Sequence, residues 1–86
     1  QAGYVTAKAG VAAFVTALDA EYRQQGIRAN AIVPSIIDTA ANRADQPNAD
    51  YSKWVTPADI AGVVHFLSSD ASGPTSGASI PVYGRA

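Results

Sequence analysis

The chain has 86 residues, a net charge of −1 and no cysteine. This length fits one small domain, whose core is barely large enough to stabilise the fold unless other residues help to bury it. The charge leaves no basic stripe for nucleic acid, and the lack of cysteine removes disulfides and thiolate metal ligands. No apolar run approaches the roughly twenty residues that span a bilayer. We therefore expect a cytoplasmic protein with no nucleic-acid partner, no membrane partner and no metal.

The first predicted element is a helix from Tyr4 to Gln25, ended by Gly26, which can adopt a positive φ after the helix. Large apolar residues recur at helical spacing and form a stripe that we expect to face a core. These residues are Val11, Phe14, Val15, Leu18 and Tyr22. The other side carries Ala9, Gly10, Ala13, Ala17 and Ala20. Such small residues let a second helix approach closely, although alanine is also a good helix former on a wet surface.

A strand is predicted next, over Ile27–Val33. It is apolar on both faces except at Arg28 and Asn30, as expected for a parallel strand that helices cover. Pro34 ends the strand. Residues 40–53 are polar and lack a clear period, so we expect a mobile loop, with a short helix as the alternative.

A second helix is predicted to begin at Thr56, with Pro57 in its first position and Asp59 completing a capping box. A last strand follows over Ala78–Tyr83, and Pro81 within it favours the edge of a sheet. The order α-β-α-β predicts two parallel strands, as in a doubly wound, Rossmann-type α/β sheet. Two strands do not form a stable sheet alone, so we predict that residues 1–86 are a fragment of one larger domain.

Tyr4 and Lys8 stand four residues apart and therefore share one face of the first helix. A nearby ammonium favours the phenolate form of a tyrosine. That makes the side chain a better proton acceptor in alcohol oxidation and a proton donor in carbonyl reduction. The YxxxK spacing alone is weak evidence, because a lysine often lies beside a half-buried tyrosine without any catalytic role.

Three other side chains are candidate site residues. Tyr51 and Trp54 could line a substrate pocket, although such aromatic residues more often anchor a loop. His65 lies among apolar neighbours in the second helix and has no second ligand-like residue at useful spacing, so we expect no catalytic or metal-binding role for it.

The chain as a whole resembles the non-extended branch of the short-chain dehydrogenase/reductase family. The resemblance covers nearly all of the chain, in the order and spacing of the family. It is carried by Tyr4–Lys8, Gly26–Asn30, Pro34–Thr39, Thr56–Ala61, Phe66–Ser72 and Thr75–Gly84.

The resemblance implies an oxidoreductase that transfers hydride between NAD or NADP and an alcohol or carbonyl substrate. It implies that Tyr4 is the general acid/base and that Lys8 holds the nicotinamide ribose. The implied cofactor-binding residues are Tyr4, Lys8, Pro34, Ser35, Ile36, Ile37 and Thr39. It further implies a homodimer or homotetramer, and a fragment that is inactive without the missing N-terminal half of its domain.

The sequence also departs from the family. The family's glycine-rich phosphate loop, catalytic serine and upstream asparagine belong before Gln1. Ser35 stands where the family usually has glycine, and Tyr83 and Arg85 replace the usual aspartate and second glycine. These departures keep open an alternative function, that of a non-catalytic scaffold or interaction module with the same fold.

Overall fold

The elements follow one another in the order that the sequence predicts, in a computed structural model that describes residues 1–86. The helices are α1 (Ala2–Tyr22), α2 (Ala40–Asp45) and α3 (Pro57–Leu67), and the strands are β1 (Ala31–Pro34) and β2 (Ser79–Val82). Short 3-10 turns cover Arg23–Gln25, Tyr51–Lys53 and Asp70–Ser72. None of the helices combines the length and the apolar character that a bilayer crossing requires.

The start and end of α1 follow from local chemistry. The helix begins two residues before the predicted Tyr4, and its last turn tightens into the 3-10 turn. Gly26 follows with φ 80°, a left-handed conformation that glycine adopts without steric penalty. The predicted helix end is therefore confirmed.

The two strands are parallel, as predicted, with Ala31 opposite Ser79 and Pro34 opposite Val82. β1 begins later than the predicted Ile27 because the preceding backbone bonds to a turn instead. The N–H of Ala29 donates to the Ser76 hydroxyl (3.1 Å). Strand β1 therefore has only the four residues that β2 can pair.

Pro81 is compatible with the ladder because of where its nitrogen points. The N–H groups of Ala31 and Ser35 donate to the carbonyls of Ala78 and Val82, so these carbonyls face β1. Successive residues of a strand alternate in direction, and the nitrogen of Pro81 therefore faces away from β1.

The segment 40–53 contains the short helix of our alternative as well as irregular chain. Helix α2 starts where the Thr39 side chain accepts a hydrogen bond from the N–H of Asn42 (3.1 Å). At α3 the predicted capping box is present, with bonds in both directions between Thr56 and Asp59. His65 is exposed on α3.

The apolar stripe of α1 is covered only in part by these 86 residues, because two of its five members are half-buried and three are exposed. Val11 is 57% exposed and Phe14 63% exposed. Two strands of four residues are too small to cover a helix of 21 residues. The buried apolar residues are instead Trp54 and Val55, between α2 and α3 in the chain.

Candidate active site

A cleft of about 570 Å³ lies between the first half of α1 and the chain that leaves β1. The cleft runs along β1 and reaches the loop at its carboxyl end, the region in which parallel α/β sheets bind ligands. Six of the seven residues predicted to bind a cofactor line it: Tyr4, Lys8, Pro34, Ser35, Ile36 and Ile37. The tertiary structure thus brings together residues about thirty positions apart in the sequence.

Tyr4 and Lys8 form one wall of the cleft. The Lys8 Nζ atom lies 5.4 Å from the centre of the Tyr4 ring, so the two side chains share a face as their spacing predicts. Tyr4 is 64% exposed, and Lys8 takes part in neither of the two salt bridges in the chain. The phenol and the ammonium are therefore both accessible to a ligand in the cleft.

The opposite wall is the loop that follows β1, and main-chain hydrogen bonds hold it in place. The N–H of Ser35 donates to the Val82 carbonyl (3.3 Å). The N–H of Asp38 donates to the Val55 carbonyl (2.7 Å), and the N–H of Val55 donates back to the Ile36 carbonyl (3.2 Å). This wall is thus attached both to the end of β2 and to the buried residue Val55.

Thr39 does not line the cleft, because its hydroxyl caps α2. Its contact with the cofactor stays a prediction. Asn42 and Gln46 line the cleft instead, and sequence reasoning missed both. The Asn42 side chain donates to the Ile37 carbonyl (2.8 Å) and so ties α2 to the loop. The capping threonine three residues before Asn42 was the available signal for this helix.

Arg43 neutralises the one charged residue of the loop wall. Its guanidinium donates twice to the Asp38 carboxylate, at 2.7 and 2.9 Å. This hydrogen bonding lowers the pKa of Asp38, while partial burial opposes the shift. Arg43 also lies 4.4 Å from the centre of the Tyr51 ring. The loop therefore presents a paired carboxylate, not an isolated one.

Tyr51 and Trp54 lie outside the residues that line the cleft. Their rings are 4.8 Å apart, and Trp54 is only 7% exposed. The Tyr51 hydroxyl shares its one proton between the carbonyls of Arg43 (3.1 Å) and Gln46 (2.9 Å). In this chain both aromatic residues thus attach the segment after α2 to the rest of the molecule, and their role in a substrate pocket stays a prediction.

Asp19 is the only buried residue of α1, and nothing in its sequence context suggested this. Arg23 donates to its carboxylate (3.0 Å) and, with a smaller contribution from the Ser76 hydroxyl, lowers the pKa of Asp19. Gly77 has φ 79°, and a Cβ atom there would stand 2.8 Å from the Asp19 Cγ atom. The missing side chain of Gly77 therefore makes room for the carboxylate against the turn before β2.

Known proteins match almost the whole chain. The family model described as Enoyl-(Acyl carrier protein) reductase matches residues 1–84. The 3-oxoacyl-(acyl-carrier-protein) reductase MabA of Mycobacterium bovis is 38% identical over an alignment of 92 residues including gaps. The alignment covers 98% of this chain and 37% of that protein. The chain spans little more than a third of the length of such relatives.

Solved structures give the same result. An oxidoreductase of the short chain dehydrogenase/reductase family from Burkholderia thailandensis is 34% identical with a TM-score of 0.80, covering 94% of this chain and 36% of that one. The structure of 4-hydroxyisoleucine dehydrogenase complexed with NADH is 28% identical with a TM-score of 0.79, covering 96% of this chain and 37% of that one. The α/β fold with a parallel sheet is therefore part of a Rossmann-type domain, as predicted.

Proposed function

Since this chain belongs to the short-chain dehydrogenase/reductase family, we propose that it is the C-terminal part of an NAD(P)-dependent oxidoreductase. The intact protein transfers hydride between NAD or NADP and an alcohol or carbonyl substrate. Residues 1–86 alone are inactive, because the phosphate-binding end of the cofactor site belongs to the part of the domain before Gln1.

The observation that carries this proposal is the shared cleft of Tyr4, Lys8 and the loop after β1. A general acid/base must lie within reach of the reacting oxygen, and an exposed phenol at the mouth of a cleft meets that requirement. The chemistry of the wall also fits the nicotinamide end of the cofactor. Lys8 offers an unpaired ammonium to ribose hydroxyls, and Pro34 and Ile36 offer an apolar surface to a planar ring.

A bound nicotinamide cofactor supplies or accepts the hydride. The Tyr4 hydroxyl donates a proton to the carbonyl oxygen in reduction, and the Tyr4 phenolate takes the proton from the alcohol in oxidation. The Lys8 ammonium, whose Nζ atom lies 5.4 Å from the centre of the Tyr4 ring, donates hydrogen bonds to the ribose hydroxyls. The Pro34–Ile37 loop closes the other side of the cleft and orients the ring.

The names of two similar proteins support a proposal for the substrate class. MabA is by its name a reductase of 3-oxoacyl groups, and the NADH-bound neighbour is by its name a dehydrogenase of a hydroxylated amino acid. Both reactions interconvert a carbonyl and a secondary alcohol, and we propose the same interconversion here. A cytoplasmic location and a dimer or tetramer through the small-residue side of α1 also stay predictions.

The test is the Tyr4→Phe substitution in the intact protein, assayed by nicotinamide absorbance with a panel of ketones and alcohols. Removing the phenolic hydroxyl removes the proton donor, so kcat should fall by about 10²- to 10⁴-fold. The affinity for the cofactor, measured by fluorescence titration, should change much less.

The matched control is Tyr22→Phe, which removes the same hydroxyl from a tyrosine near the end of the same helix and outside the cleft. Its kcat should equal that of the wild type. Equal rates in the Tyr4→Phe variant and the wild type would end the catalytic assignment. A wild-type protein that binds neither NAD nor NADP would favour the scaffold alternative.

A further inference from the structure

Three segments that are far apart in the sequence meet beside the cleft and bond to one another. We call them the three-segment junction, which comprises the loop Ser35–Asp38, the segment Lys53–Val55 and the tail Tyr83–Arg85. The Ser35 hydroxyl donates to the Tyr83 carbonyl (2.7 Å), and the N–H of Arg85 donates to the Lys53 carbonyl (3.0 Å). The tail therefore bonds to both other segments.

The loop and the segment Lys53–Val55 also bond directly to each other. Ile37 and Val55 form an isolated parallel bridge, through the hydrogen bonds that Val55 exchanges with Ile36 and Asp38. Val55 is 1% exposed and its neighbour Trp54 is 7% exposed. The junction thus contains both buried apolar residues of the chain.

The tail is seated closely on this junction. Gly84 has φ 63°, and a Cβ atom there would stand 2.9 Å from the Lys53 carbonyl oxygen. Only glycine combines that conformation with that approach. The tail is therefore closely packed against the segment Lys53–Val55.

Ser35 differs from the other members of the junction in one respect. The remaining hydrogen bonds between the three segments join main-chain groups, which almost any residue supplies, whereas the bond to Tyr83 depends on the serine hydroxyl. The family usually has glycine at this position. A glycine there would lack the bond and would allow the backbone more conformations.

We infer that Ser35 is a positioning residue, whose hydroxyl bond to the tail holds the Pro34–Ile37 loop in the shape that receives the nicotinamide. This inference rests on the proposed function of the cleft. The hydroxyl is directed to the Tyr83 carbonyl, so its effect on the cofactor is exerted through the position of the loop. The C-terminal tail thereby becomes part of the cofactor site without touching the cofactor.

The experiment compares Ser35→Ala and Ser35→Thr in the intact protein. The control is Ser68→Ala, which also removes an exposed hydroxyl-to-carbonyl bond, in this case to Val64 (2.8 Å), away from the cleft. A neutral hydrogen bond contributes enough to change an equilibrium about 2- to 10-fold. Ser35→Ala should therefore raise the KM for the cofactor about 2- to 10-fold, more than it lowers kcat. Ser35→Thr, which keeps a hydroxyl, should restore most of the affinity.

Hydrogen exchange of the amides of Ser35 and Asp38 is the second readout, because it reports the loop without any cofactor. Both amides donate to carbonyls of the neighbouring segments, and their exchange should be faster in Ser35→Ala than in Ser68→Ala. An unchanged exchange rate would overturn the positioning role. Faster exchange with an unchanged cofactor KM would overturn the link to the cofactor.

The two readouts also separate this inference from the proposed function. A wild-type protein with no affinity for NAD or NADP would refute the proposed function and the cofactor part of the inference together. Hydrogen exchange in that same protein still decides whether Ser35 positions the loop.

Discussion

The two walls of the cleft are built in different ways. The loop wall is attached by main-chain hydrogen bonds to β2 and to Val55, which is 1% exposed. The helix wall carries Tyr4, which is 64% exposed, on a helix whose only buried residue is Asp19. One wall is thus held by residues of this chain, whereas the other is held mainly by its own helical hydrogen bonds.

The loop wall is the part of the site that this chain forms by itself. Burial and hydrogen bonding within the 86 residues determine the shape of the loop wall. Val11 and Phe14 of the apolar stripe of α1 are exposed in this chain, and most helical stability in proteins comes from packing of such a face. We therefore propose that residues beyond this chain place the helix wall, and with it Tyr4 and Lys8, against the loop.

The largest effect on the free energy of unfolding is expected from truncating one aromatic side chain near each wall of the cleft in the intact protein. Trp54→Ala should lower the free energy of unfolding by about 3–5 kcal/mol, because the residue is already buried by this chain. Phe14→Ala should have an effect of similar size only if the rest of the domain covers α1. Denaturant unfolding of both variants measures this. A change below about 0.5 kcal/mol for Phe14→Ala would mean that the stripe faces water and would contradict the predicted cover.

A smaller effect is expected from paired glycine substitutions at the tail and at the end of α1. Gly26 and Gly84 both have positive φ, so alanine is strained at each by about 1–2 kcal/mol. A Cβ atom at Gly26 meets nothing within 4 Å, whereas one at Gly84 approaches the Lys53 carbonyl oxygen at 2.9 Å. Gly84→Ala should therefore destabilise the protein more than Gly26→Ala. Equal changes in melting temperature would show that the tail is not closely packed against the segment Lys53–Val55.

The smallest expected effect is a pH dependence of the contact between Asp19 of α1 and the turn before β2. The pKa of Asp19 is lowered from the ordinary value of an aspartate, mainly because Arg23 donates a hydrogen bond to its carboxylate. A carboxyl group whose pKa is lower in the folded state stabilises the protein above its unfolded pKa, and the contribution is lost as the pH falls through the folded value. Melting temperatures of the wild type and Asp19→Asn should therefore differ at neutral pH and converge below about pH 4. Parallel curves would contradict the anchoring role of Asp19, and Asp45→Asn serves as the exposed control.

Much of the fold follows from local patterns. Gly26 after the helix, the capping box of Thr56 and Asp59, and the α-β-α-β order are all predictable, because each depends on residues close in sequence. The length of β1 was not predictable, since it depends on how many residues of β2 are available to pair. The burial of Asp19 was missed for the same reason, because its partner Gly77 comes from a distant turn.

The sequence by itself determined the helical spacing of Tyr4 and Lys8, the order of the elements and the membership of the family. Only the tertiary structure decided that the loop after β1 faces these two side chains, that Trp54 is buried and that the Ser35 hydroxyl bonds to Tyr83, 48 residues away. The physical reason is the range of the interactions. Helix periodicity and capping join residues three or four apart, whereas the cleft and the three-segment junction depend on hydrogen bonds and packing between residues that only the folded chain brings together.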